Sequence, residues 1–113
     1  MMSMSTVKTI TCNELLRARE NGPVELIDVR SLEEFNEIHA VGARHVPLGA
    51  FNPSAVIRSR TTPSTEPLYF ICAVGARSAW ACELMMAAGY PNVVNVEGGT
   101  QAWYLAGFPV EST

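Results

Sequence analysis

One stretch limits the fold more than any other: LYFICAVGARSAWACELMMAAG, residues 68–89. LYFIC (68–72) is apolar at both odd and even positions, so it reads as a strand buried on both faces. A strand covered on both faces needs a packing layer above the sheet and another below. The segment after it, 76–89, reads as a helix, with Gly89 at the position just past its end and Pro91 beyond. Only a few residues separate strand from helix, and they carry a cysteine, a glycine, an arginine and a serine.

The rest of the chain alternates in the same way. VKTIT (7–11) reads as a short strand and NELLRARE (13–20) as a helix. VELIDV (24–29) is a strand. SLEEFNEI (31–38) is a helix, with Ser31 as N-cap and Glu34 completing a capping box. ARHVPL (43–48) is a strand closed by Pro47, FNPSAVIRS (51–59) one or two helical turns, and RTTPSTEP (60–67) a loop. NVVNV (92–96) is a strand and TQAWYLAG (100–107) the last helix. The pattern is α/β, with a mainly parallel sheet and helices on both faces. With 113 residues, it predicts one domain over 7–110 after a flexible terminus of residues 1–6.

Composition excludes several functions. Net charge is −3 without a Lys/Arg run, which argues against a nucleic-acid partner. No apolar stretch reaches the roughly 18 residues of a membrane span, and the N-terminus lacks the pattern of a secretory signal. The cysteines are Cys12, Cys72 and Cys82, an odd count that fits free thiols in a reducing, cytoplasmic setting. No C-x-x-C is present, and His39 and His45 lie far from the cysteines in sequence, so neither a metal nor another cofactor is expected.

Cys72 closes the most apolar strand at its carboxyl end, where ligands bind in open α/β sheets. The turn Ala73, Val74, Gly75, Ala76, Arg77, Ser78 can aim backbone N–H groups at one point, and the helix start adds partial positive charge. Gly75 permits a φ that side chains forbid, Arg77 offers a planar fork suited to oxyanions, and Ser78 suits a helix cap. Together they predict a lowered thiol pKa at Cys72 and a cradle for an anionic substrate. Cys12 and Cys82 read as inert buried thiols, and Trp80, Met85 and Met86 as core or partner contacts. Asp28 and Arg30 end strand 24–29 at the same carboxyl end. They read as an ion pair that fixes loops, supporting the site rather than reacting. His39 reads as a hydrogen-bonded structural residue.

These residues resemble the rhodanese (thiosulfate sulfurtransferase) family in its single-domain form, over about residues 8–110. LIDVRSLEEF (26–35), HAVGARHVPLG (39–49), the C-x-x-G-x-R-S loop CAVGARS (72–78) and NVVNVEGGTQAWYLAGFPV (92–110) match family signatures in order. The departures are Ile38 for a glycine, Ala40 for an isoleucine, and Val74 for a small polar residue. The resemblance implies a rhodanese-like five-stranded parallel sheet flanked by helices, with Cys72 carrying sulfur as a persulfide. It also implies a thiosulfate-like donor, a thiol or cyanide acceptor, and a sulfur-relay protein as partner. Two alternatives stay open: a sulfur carrier that does not turn over thiosulfate, and a cysteine phosphatase or arsenate reductase of the same fold. Cys72 to Arg77 is C-x4-R, one residue shorter than the C-x5-R loop of cysteine phosphatases.

Overall fold

The computed structural model describes residues 6–113; most of the expected flexible terminus, residues 1–5, lies outside them. The elements are β1 (Lys8–Ile10), α1 (Cys12–Glu20), β2 (Glu25–Asp28), α2 (Leu32–Glu37), β3 (His39–Ala40) and β4 (Arg44–His45). A 3-10 turn (Leu48–Ala50) follows, then α3 (Pro53–Arg58), β5 (Leu68–Ile71), α4 (Ala76–Ala87), β6 (Val93–Val96), α5 (Gly99–Leu105) and β7 (Val110–Glu111). Five strands form one parallel sheet in the order β1-β6-β5-β2-β4. β5 sits at its centre, where a strand must be apolar on both faces.

The alternation of side chains along the strands builds two cores. Ile27 and Phe70 point to the face covered by α3 and α4, against Val56, Ala81, Cys82 and Met85. Their neighbours Leu26 and Ile71 point to the other face, against Leu15 of α1 and Trp103 of α5. Each fully buried large side chain contributes about 1.5–3 kcal/mol relative to exposure. Trp103 is anchored further, since its indole N–H donates to the Pro109 carbonyl at 2.7 Å and Phe108 meets it edge-on.

Local signals match the helix ends. Ser31 and Glu34 form the expected capping box on α2, and Thr11 and Glu14 form a second on α1. The loop 60–67 is tied to the amino end of β2, where buried Glu25 accepts from the Thr61 and Thr62 N–H groups and pairs with Arg44. Three features depart from expectation. His39–Ala40 pairs antiparallel with Val110–Glu111, a two-residue ribbon too short to leave a periodic signal. Ser78 does not cap α4; Gly75 holds that position at φ +117°, and the Ser78 side chain turns inward. Of the two expectations for Trp80, core or partner contact, the first fails: it is 54 % exposed, because α4 buries the stripe of Ser78, Ala81, Cys82 and Met85.

Because the sheet is parallel, the carboxyl ends of β2, β5 and β6 open on the same edge. The turn after β6 is pressed against the turn after β5. A Cβ on Gly99 would lie 2.5 Å from the carbonyl oxygens of both Cys72 and Ala73, and Gly99 has φ +59°. Gly107 has φ +78° but nothing within 4 Å of such a Cβ. Gly107→Ala therefore costs only the left-handed backbone, about 1–2 kcal/mol. Gly99→Ala adds an overpacking cost of about 1–3 kcal/mol. Thermal denaturation of the two variants should show Gly99→Ala melting lower by roughly 4 °C or more; equal melting temperatures would remove the close approach.

Candidate active site

The site is assembled from the turn that follows β5. Cys72 is 1 % exposed and is the first residue past the strand. Its Sγ accepts from the Gly75 N–H at 3.1 Å and from the Ser78 hydroxyl at 3.3 Å. Burial pushes the Cys72 thiol up, but the Ser78 hydroxyl and the N–H groups of Ser78, Gly75 and Val74 together outweigh it, and the net direction is down. The other two cysteines have no such ring. Burial and the nearby Glu83 push Cys82 up to about 12, and burial with Glu97 raises Cys12.

The first turn of α5 holds this loop in place. Thr100 N–H donates to the Cys72 carbonyl at 2.8 Å and Gln101 N–H to the Ala73 carbonyl at 3.1 Å. Those N–H groups have no partner within their own helix, so loop and helix satisfy each other. Val74 stands 58 % exposed at the rim of the loop.

Asp28 and Arg30 form the buried pair expected of them. Arg30 Nη2 lies 2.8 Å from Asp28 Oδ2, and Nε donates to the same carboxylate. Arg30 also donates to the Ile38 carbonyl at 2.6 Å, which ties the end of β2 to the end of α2. Its own carbonyl faces a ring nitrogen of His45, and Phe35 stacks between His45 and His39. His39 bridges the Phe35 carbonyl and Glu111, a structural arrangement. Arg30 separates two clefts beside the loop. One, of about 370 Å³, is lined by Ile38, Ala73, Thr100, Gln101 and Tyr104; the other, of about 570 Å³, by Leu32, Pro47, Leu48, Gly49 and Arg77. A third cleft, of about 490 Å³, lies at the amino ends of β2 and β5 near Val24 and Tyr69, at the other end of the strands from the sulfur.

Arg77 does not stand free. Its guanidinium makes a two-pronged pair with Glu34 of α2, at 2.8 and 2.9 Å. Ala76 is exposed at the first position of α4. The structure thus gathers Cys72, Gly75 and Ser78 around one sulfur, with Ala73 and Arg77 on the cleft walls. Sequence reasoning misses Asn95, a buried amide whose end lies against the Ser78 hydroxyl. Its signal is a lone polar residue in the apolar strand VVNV (93–96), near the carboxyl end of β6. Among the described residues no cluster of His, Cys, Asp or Glu could hold a metal ion, and no helix is long and apolar enough to cross a membrane.

Comparison with known proteins agrees with this fold. The model of the rhodanese-like domain matches residues 11–106, so the chain belongs to the rhodanese-like family. An uncharacterized protein of Synechocystis sp. is 34 % identical over 98 % of this chain and 60 % of its own length. The putative sulfur carrier protein YrkF of Bacillus subtilis is 32 % identical over 71 % of this chain and 41 % of its own. This chain thus spans about half the length of these two relatives. Thiosulfate sulfurtransferase GlpE of Vibrio cholerae is 28 % identical over 92 % of this chain and 94 % of its own. The rhodanese-like domain of an Anabaena protein superposes with a TM-score of 0.81 at 24 % identity, covering 96 % of this chain and 81 % of that one, a likeness of fold.

The Arg77–Glu34 pair yields a pH prediction. Arg77 and the Ser31 groups hold the Glu34 carboxyl down at about 2, against about 4.3 in an unfolded chain. A depressed carboxyl contributes stability that is present above the unfolded value and lost as pH falls through the folded one. Urea midpoints of wild type and Glu34→Gln should therefore differ most above about pH 4.5 and converge toward pH 2. A gap independent of pH across that window would mean that the ion pair contributes nothing.

Proposed function

We propose that the protein is a sulfurtransferase in which Cys72 carries the moving sulfur. One observation carries the reading: the Cys72 sulfur is buried yet ringed by N–H and O–H donors that favour its thiolate. The thiolate attacks the outer sulfur of thiosulfate. A new S–S bond forms to Cys72, the S–S bond of thiosulfate breaks, and its electron pair leaves with sulfite. Sulfite departs as a stable anion, so no general acid is required, in keeping with the absence of a carboxylate or imidazole among the groups bonded to Sγ. The loop N–H groups then stabilise the anionic outer sulfur of the persulfide. A cyanide ion or thiolate attacks that sulfur, and Cys72 leaves again as a thiolate.

Supporting roles follow from position. Ala73, Val74, Gly75, Ala76 and Ser78 form the walls and donors of the cradle. Arg77 supplies the cation nearest an anionic donor, in competition with Glu34. Asp28 and Arg30 hold the facing loop. Three free, buried cysteines fit a reducing, cytoplasmic setting, and residues 7–110 serve as one domain. In the cell the acceptor would be a thiol, small or on a relay protein.

The six-residue loop from Cys72 to Arg77 supports sulfur over phosphate chemistry. A ring this small suits one added sulfur atom, whereas a phosphoryl group needs donors for three equatorial oxygens. The test is to measure thiosulfate:cyanide turnover and aryl phosphate hydrolysis on one preparation. Wild type, Cys12→Ser and Cys82→Ser should transfer sulfur at similar rates. Cys72→Ser should lose activity by more than about a thousandfold, as expected when a nucleophile that acts as a unit with its surroundings is removed. Phosphate release by wild type without sulfur transfer would overturn the reading; a persulfide formed without turnover would point to the carrier instead.

A further inference from the structure

Among the described residues Ser78 is the one side chain that donates to the Cys72 sulfur, and its hydroxyl has more acceptors around it than it has protons. Its Oγ lies 3.3 Å from Cys72 Sγ, 3.2 Å from the Gly75 carbonyl and 2.5 Å from the amide oxygen position of Asn95. A hydroxyl carries one proton and two lone pairs. With an oxygen of Asn95 facing it, three acceptors compete for that proton, and the shortest contact takes it away from the sulfur.

A half-turn of the Asn95 amide exchanges its oxygen and NH2 without moving any other atom. The NH2 then donates into a lone pair of Ser78 Oγ. Only the Gly75 carbonyl and the sulfur remain as acceptors of the hydroxyl proton, and a thiolate, being charged, forms the stronger bond. Asn95 is well placed for this. It is 6 % exposed and lies on β6 in register with Phe70, two residues before Cys72.

We propose that Asn95 is a positioning residue: its side-chain NH2 donates to Ser78 Oγ and so commits the Ser78 proton to the Cys72 sulfur. The proposal rests on Cys72 being the reactive thiolate of the function proposed above. The charged groups around the loop are the Asp28–Arg30 pair with His45 behind it, Arg77 with its partner Glu34, and Glu97 after β6. Asn95→Leu alters none of them.

The experiment is the pH dependence of Cys72 alkylation by iodoacetamide, which needs no sulfur transfer, read by peptide mass. Asn95→Leu and Ser78→Ala should each raise the midpoint by about one pH unit, the size of one hydrogen bond to a charged group. The double variant should move it no further than Ser78→Ala alone. A purely structural Asn95 would lower the melting temperature and leave the midpoint where it was, or add its shift to that of Ser78→Ala; either result overturns the proposal. A wild-type midpoint at the ordinary thiol value, about 8.5, would remove both this proposal and the thiolate reading. If Asn95→Leu does not fold, NMR of the wild type decides. NH2 protons of Asn95 that exchange slowly and show cross-peaks to the Ser78 β-protons are expected; rapid exchange would contradict the proposal.

Discussion

The site depends on two hydrogen bonds that never touch the sulfur. Thr100 and Gln101 N–H groups hold the carbonyls of Cys72 and Ala73 at the start of α5. In a trans peptide the C=O and N–H point in opposite directions. Drawing the Ala73 carbonyl toward α5 therefore turns the Val74 N–H the other way, toward the sulfur. Gly75 then takes the left-handed conformation that brings its own N–H inward and starts α4. The arrangement requires the β6–α5 turn to approach the loop backbone more closely than a Cβ allows, which is why glycine stands at position 99.

The electrostatics of the loop are then those of oriented peptides rather than of side-chain charge. Burial alone disfavours a thiolate, and Cys82, buried without donors, is pushed up to about 12. Cys72 is equally hidden but moves the other way. The cation of the loop, Arg77, is engaged with Glu34, and Arg30 with Asp28, so neither pair leaves a free charge beside the sulfur. These pairs act mechanically, joining the active loop to α2 and the end of β2 to the end of α2.

Much of this was legible in the residues. The both-faced apolar run of LYFIC required a central strand, and it sits third in a five-stranded sheet. The Ser31–Glu34 capping box marked where α2 begins, whereas the Thr11–Glu14 box on α1 went unread because Thr11 reads as the end of the preceding strand. The C-x-x-G-x-R-S spacing pointed to the turn after β5. What could not be read depends on contacts between distant segments. Serine at 78 suits a helix cap by propensity, but the left-handed Gly75 takes the cap and the hydroxyl finds a sulfur and an amide instead. Glu34 serves both its own helix and, across the fold, Arg77; the residues leave Asp28 and Glu34 both open as partners of that arginine, and only the fold chooses between them. Asn95 has no motif beyond its polarity. The β3–β7 ribbon joins segments about 70 residues apart through two residue pairs.

The central claim is that sulfur resides on Cys72, and mass analysis of the protein after thiosulfate treatment tests it most directly. Intact and peptide masses should show one added sulfur atom, confined to the peptide containing Cys72, removed by cyanide and absent in Cys72→Ser. Sulfur found on Cys12 or Cys82, or no addition under conditions where thiosulfate is consumed, would contradict the account.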